Sequence, residues 1–371
     1  MAKYDRNNPF NDLPPLPTPQ KIENDPDILR KLVTASRALA SVNSNVLRLP
    51  NPDMLINTIS LQEAKTSTAI ENIFTTEDDL YKAISHTAGK ERSNPATKEV
   101  LRYREALWSG YLTLQKNRAI NLQLITKIFQ QIKDTTGGLR PPHSLVVIKR
   151  GASKIKPGEV VYTPPRGEGV IERLMDNLIK YLNDDQQYSV DPLLKMCIGH
   201  YQFEAIHPFH DGNGRTGRIL NLLYLIDKKL LSRPVLYLSK YIIENKDEYY
   251  YALAAVTQRA SWKSWVMYML DAVEYTSSFT NELINDIVKQ METTLEHGRK
   301  NIRWYNKDVN EALFAQPYSR PKIIGDVLKK SSRTTLTKYM DELEKAKILT
   351  PKKEGKEVYY LNTDLIRILE K

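Results

Sequence analysis

The sequence predicts a mainly α-helical protein with one β-hairpin and a C-terminal winged helix. Three observations predict it. Apolar residues recur at helical spacing through most of the first 300 positions. Two β-rich runs, SLVVIKRG and EVVYTPP, bracket ASKIKPG between residues 144 and 164 and read as a hairpin. The last stretch runs helix, turn, helix, short hairpin, which is the winged-helix order.

The elements follow in order. Residues 1–25 are rich in Pro and Asn and read as an extended segment. Its PPLPTP run, Pro14 to Pro19, suits either a polyproline ligand or a strap over the protein's own core, and Phe10 and Leu13 as anchors favour the strap. Helices are expected over 26–47, with Ile28, Leu32, Val33 and Leu39 on one side, and over 52–86 after a Pro-containing break. Further helices are expected at 94–116, 120–133, 169–183, 193–206, then after a glycine-rich turn, and at 245–257 and 262–300. Leu194, Cys197, Tyr201 and Ile206 form the apolar side of the 193–206 helix. In the C-terminal part a turn falls at Ser331–Ser332 and a hairpin turns at Glu354–Gly355.

Composition sets the class. The chain has 371 residues, 41% apolar and 26% charged, which suits a folded protein of two or three domains. Its net charge is +10, which favours anionic partners. Residues 316–371 carry 13 Lys+Arg against 8 Asp+Glu, so half of that surplus is local to the tail. Cys197 is the sole cysteine, so neither an internal disulfide nor a cysteine metal cluster is expected, and a reducing, cytoplasmic setting fits. The N-terminus reads as no signal peptide, and no run approaches the ~20 apolar residues of a membrane span.

The chemistry concentrates in HPFHDGNGRTGR, His207 to Arg218. A helix ends near Ile206, a glycine-rich turn follows, and Arg215 opens the next helix. Helix N-termini present free N–H groups and partial positive charge, so anions bind there. Gly212 and Gly214 let an anion approach the backbone closely, and the amides around Asn213 can form a nest. Arg215 and Arg218 stand three apart and can face one phosphate chain. Asp211 is a hard oxygen ligand suited to Mg²⁺ shared with phosphates. His207 can take a proton from an incoming hydroxyl. Together these residues describe phosphate transfer. A tight, merely solvated helix connection explains the glycines but not the acid, the arginines and the histidine together. A metal-hydrolase site of His207, His210 and Asp211 lacks further histidines nearby.

The same dozen residues match the Fic signature HPFx(D/E)GNGRxxR at every defined position, and the chain resembles the Fic family of protein adenylyltransferases. That resemblance implies a Fic helical core with a hairpin flap, and transfer of AMP from ATP to a Ser, Thr or Tyr hydroxyl of a target protein. It makes His207 the catalytic base, Phe209 the anchor of the loop and Asp211 the Mg²⁺ ligand. Gly212, Asn213 and Gly214 become the anion hole, Arg215 a phosphate contact and Arg218 the γ-phosphate ligand; Thr216 and Gly217 belong to the same nucleotide-binding turn. His210 fills the variable position.

STAIEN, Ser67 to Asn72, matches the family's inhibitory motif (S/T)xxxE(G/N). Ser67 and Glu71 share a helix face. The resemblance implies that Glu71 pairs with Arg218 and so blocks the γ-phosphate site. By position in the hairpin, Val147 and Ile148 are expected to clamp the target on the flap. In YIIENKDEYYYAL, Asn245 and either Tyr249 or Tyr250 are expected beside the nucleobase, with Tyr250 preferred. Expected domains are 1–94, carrying the inhibitory helix, the catalytic core 95–304 and the winged helix 305–371. Expected partners are ATP and a target protein, and homodimerisation is open. A rival reading is a DNA-binding regulator, with Arg333, Thr334 and Lys338 in the groove and Lys352, Lys353 and Lys356 on phosphates. The acids Asp341, Glu342 and Glu344 favour protein contact instead. A different nucleotide, or removal of AMP, is a further chemical alternative.

Overall fold

A computed structural model describes residues 4–18, 21–47, 49, 52–85, 93–117, 119–150, 158–355 and 357–371. Helix α1 (Pro26–Leu47) opens on Pro26, with Asp25 Oδ1 accepting from the Asp27 and Ile28 amides. It buries Ile28, Leu32, Ala35, Leu39, Val42 and Val46, alternating steps of four and three that make one stripe. Val33 is one residue off that stripe and is 47% exposed, against the expectation that it packs inward.

The helix expected over 52–86 is two helices, α2 (Pro52–Ile70) and α3 (Glu77–Ser85); residue 86 lies outside the described residues. Asn72 takes a left-handed conformation with φ 61, and the amides of Asn72 and Ile73 return to the Ala69 and Thr68 carbonyls. Asparagine is the non-glycine residue that most readily ends a helix this way. Thr76 then accepts from the Asp79 amide to start α3. The break leaves Phe74 69% exposed, whereas Ile70 is buried.

Helices α4 (Pro95–Asn117), α5 (Leu122–Lys133), α6 (Val170–Asn183), α7 (Pro192–Ile206) and α8 (Asn213–Asp227) build the centre. Helices α7 and α8 are buried on nearly every face, so they are the core around which the others pack. The region expected as one helix over 245–257 is preceded by α9 (Leu238–Glu244); α10 (Lys246–Arg259) follows, and α11 (Trp262–Asn301) runs 40 residues along α1.

Strands β1 (Ile148–Arg150) and β2 (Glu159–Tyr162) pair antiparallel in the expected hairpin, Ile148 opposite Tyr162, with a register irregularity after Ile148. Residues 151–157 of the hairpin lie outside the described residues. The N-terminal strap lies over this side: Leu13 and Leu16 are buried, Phe10 N–H donates to Thr163 O, and Gln202 donates to Pro14 O.

The C-terminal part has helix α12 (Lys307–Phe314), strand β3 (Tyr318–Ser319), α13 (Pro321–Leu328), α14 (Arg333–Lys345), strands β4 (Thr350–Glu354) and β5 (Glu357–Leu361), and α15 (Thr363–Leu369). The sheet order is β3-β5-β4, and the β4–β5 hairpin turns at Gly355, φ 58. This part has its own apolar cluster, including Val309, Ile324, Met340 and Leu343. It also docks on the N-terminal helices. Lys352 Nζ and Tyr318 Oη donate to Asp78 Oδ1 of α3 at 2.7 and 2.5 Å. Lys352 is therefore engaged within the chain, Lys353 is exposed, and Lys356 lies outside the described residues. Arg333, Thr334 and Lys338 are exposed on α14.

Candidate active site

The site forms where α7 hands over to α8. His207 ends α7 in a left-handed conformation, φ 50, and its N–H closes on Phe203 O. Such a conformation costs a non-glycine residue about 1–2 kcal/mol, so the surroundings must hold it. Two residues on, Phe209 is fully buried and stacks on Phe129 of α5 with ring centroids 4.0 Å apart, as an anchor should. Gly212 caps α8 at φ 80, a backbone state open to glycine. Its N–H donates to Asp211 Oδ1 at 2.6 Å, and its carbonyl accepts from Thr216 Oγ1 at 2.9 Å.

Asn213 is a strut. Its Oδ1 accepts from Phe209 N–H at 2.9 Å and its Nδ2 donates to Phe209 O at 2.8 Å. Its side chain is committed to the turn, leaving only its backbone for an anion. Arg215 is buried, with Nη1 donating to Glu99 Oε2 of α4 at 2.5 Å and its Nε without a partner. Asp211 bonds Lys133 of α5 at 2.5 Å. Burial works against the Asp211 charge, but the Lys133 hydrogen bond holds its carboxyl below the ordinary value.

Arg218 is 1% exposed and is held from the N-terminal side. Its Nε donates to Ser67 Oγ at 2.7 Å, and its Nη2 donates to Ser67 O at 2.9 Å and to Glu71 Oε1 at 2.7 Å. Glu71 follows directly on α2, and Lys246 Nζ caps that helix end by donating to Ile70 O at 2.6 Å. A Cβ built on Gly214 would collide with Glu71 Oε1 and lie 3.0 Å from Arg218 Nη1. A carboxylate oxygen therefore rests on the first turn of α8, where backbone amides and helix dipole both favour negative charge.

The titratable groups around the turn are strongly shifted. Burial, with the Arg140 charge second, lowers the His207 imidazole to about 4, so it is a neutral acceptor near pH 7. His200 of α7 is lowered to about 3 by burial and is bonded to Tyr249 Oη at 2.8 Å. Glu204 is raised to about 8 by burial, and its Oε1 lacks a hydrogen-bond partner beside Gly217.

Of the two tyrosines read for the base side, Tyr249 is core and Tyr250 is 41% exposed. Burial and then the Glu71 charge push the Tyr250 hydroxyl up to about 12. Asn245 caps α9, and its Nδ2 donates to Tyr241 O at 3.0 Å. On the flap, Ile148 packs partly against the core and Val147 is exposed. Strand β2 is tied to the end of α7, because Tyr162 Oη donates to Ala205 O at 2.7 Å. Sequence reasoning missed Glu99, Lys133, Arg140, Glu204 and Lys246. Each stands far from the turn in sequence or outside its matched positions, and only the fold brings it there.

Comparisons with known proteins bear on the family of the chain. Residues 29–112 match the Fic/DOC family N-terminal model, residues 111–225 the Fic/DOC family model, and residues 280–365 the C-terminal domain of SoFic-like protein adenylyltransferases. Protein adenylyltransferase fic-1 of Caenorhabditis elegans is 29% identical over 155 residues, 42% of this chain and 28% of that one. Protein adenylyltransferase Fic of Aedes aegypti is 28% identical over 149 residues, 39% of this chain and 28% of that one. The chain thus spans under a third of the length of these relatives. A Fic family protein from Desulfovibrio desulfuricans shares the fold, with TM-score 0.59 and 19% identity over 93% of this chain and 98% of that one. A Fic domain protein from Bacteroides thetaiotaomicron does so with TM-score 0.52 and 15% identity over 69% and 97%. Signature turn, consecutive family matches and fold agree: the chain belongs to the Fic/DOC family.

Proposed function

We propose that this protein is an adenylyltransferase that moves AMP from ATP to a Ser, Thr or Tyr hydroxyl of a target protein, and that Glu71 restrains it. The observation that carries the reading is the Glu71 carboxylate lying against Gly214 and Arg218. A site that accepts one oxyanion at a helix N-terminus suits a phosphate group equally.

In this reading the target hydroxyl attacks the α-phosphorus in line. The bond from that phosphorus to the bridging oxygen breaks and diphosphate leaves. His207, neutral at the end of α7, takes the hydroxyl proton. The backbone of Gly212, Asn213 and Gly214 stabilises the charge on the phosphate oxygens. Arg218 takes the γ-phosphate once Glu71 withdraws, and Arg215, braced by Glu99, supports the cradle. Tyr250 and Asn245 flank the nucleobase, and the flap edge at Val147 and Ile148 aligns the target chain. Among the described residues no group of three ligand side chains could enclose a metal ion. Asp211 would be the carboxylate to hold Mg²⁺ together with the phosphates, Lys133 giving up its bond to that carboxylate. Magnesium held there would neutralise triphosphate charge. The working division assigns residues 1–94 to the restraint, 95–304 to catalysis and 305–371 to the C-terminal module.

The test incubates wild type and His207→Ala with ATP labelled at the α-phosphate and with cell lysate. Labelled protein is expected for wild type and none for His207→Ala. Equal labelling by both would refute the reading. Salt-dependent duplex affinity surviving His207→Ala would favour the DNA-binding alternative; the docking of Lys352 on Asp78 leaves that reading one lysine fewer.

A further inference from the structure

Arg140 lies between α5 and the flap, outside the signature, yet its side chain is almost fully buried against the catalytic turn. Its Nε donates to His207 O at 2.8 Å, and its Nη2 donates to Ile206 O at 3.2 Å and Pro165 O at 2.5 Å. Its own backbone N–H donates to Pro208 O at 2.9 Å. One residue thus holds three consecutive carbonyls, Ile206 to Pro208, and a fourth just beyond β2. The first two are carbonyls left open where α7 ends, and a cation there is favoured by the helix dipole.

All of these acceptors are neutral carbonyls. Among the described residues no carboxylate bonds the guanidinium, unlike Arg215 with Glu99 or Arg218 with Glu71. A buried guanidinium with carbonyl partners alone is costly to maintain, so its charge and its fork geometry both call for a role.

We propose that Arg140 is the positioning residue of the catalytic base: it locks the left-handed turn that aims the His207 imidazole and ties that turn to the strand of the flap that aligns the target. The proposal rests on the assignment of His207 as base. The left-handed His207 backbone is held in place by the carbonyls Arg140 gathers. Because Pro165 follows β2, the same fork sets the distance between the base and anything laid along the flap edge. Its charge also opposes an imidazolium. Arg140 faces His207 from the flap side, Glu71 from the end of α2 and Asp211 from the turn, and the two acids act in the opposite sense.

The test uses Arg140→Gln, which removes the charge, and Arg140→Lys, which keeps the charge without the fork. AMP transfer is measured in wild-type and Glu71→Gly backgrounds, with the His207 titration followed by imidazole NMR and assigned with His207→Ala. Arg140→Gln is expected to lower kcat at least tenfold, to leave KM for ATP within twofold, and to move the acid limb and the His207 titration to higher pH. Arg140→Lys is expected to keep the titration low and to recover part of kcat. A loss of kcat in Arg140→Gln with titration and acid limb unmoved overturns the proposal, and so do unchanged rates. In the native protein the Arg140 Nε proton is expected to exchange at least a hundredfold slower than in a free arginine; free exchange overturns the proposal without any variant. Failure of the functional assignment looks different, since His207→Ala would then keep its transfer rate.

Discussion

Replacing Glu71 with glycine removes the carboxylate that rests on α8 and leaves Arg218, among the described residues, bonded to Ser67. Arg218 is 1% exposed and the Glu71 side chain is 33% exposed, so the pair lies between a surface ion pair and a buried one. A hydrogen bond between charged groups of this kind contributes about 1.5–3 kcal/mol. An incoming γ-phosphate must displace that contact and also the negative charge, so releasing it lowers the barrier to productive ATP binding by about 2 kcal/mol, roughly a thirtyfold gain. The assay is initial-rate incorporation of label from ATP carrying a tagged α-phosphate, onto the protein itself and onto lysate proteins. A companion measurement is thermal unfolding. Glu71→Gly leaves a buried guanidinium short of one partner, so it should melt lower than wild type and recover on adding Mg·ATP. A Glu71→Gly protein that labels no faster than wild type, and is no more stabilised by Mg·ATP, would show that this contact does not restrain the enzyme.

Three further outcomes follow from the same geometry. Gly214→Ala sets a methyl group against Glu71 Oε1 and Arg218 Nη1, so it should abolish transfer and lower the melting temperature; adding Glu71→Gly should restore the stability, measured by calorimetry. Asn213→Ala cuts both bonds to the Phe209 backbone and should cost about 1–3 kcal/mol of stability along with activity, read by urea unfolding. Glu204 keeps its proton in the folded state to about 8, whereas an unfolded Glu ionises near 4.3, so the native form binds more protons between those values and loses stability as pH rises through them. Glu204→Gln should flatten that alkaline loss. The buried His200 and His207, lowered to about 3 and 4, should still make both proteins lose stability as pH falls from about 6.5 towards 4.

The sequence by itself determined the helical class, the hairpin near 144–164 and the gathering of glycines, acid, arginines and histidine at residues 207–218. These follow from residues close together in the chain: a stripe repeats every three or four positions, and an anion-binding turn needs its glycines, acid and basic groups within about a dozen residues. The spacing of Ser67 and Glu71 announces only a shared face; their motif resemblance named Arg218 as the partner of Glu71, and the tertiary structure brings both residues to Arg218, about 150 positions away in the chain. The end of α2 at Ile70 escaped periodicity because Asn72 could turn left-handed only in a packed context that repays it. Arg140, Glu99 and Lys133 carry no local pattern at all. Their meaning arises when packing removes water and leaves specific carbonyls and carboxylates in need of partners. That demand is created by burial, and burial is a property of the folded chain.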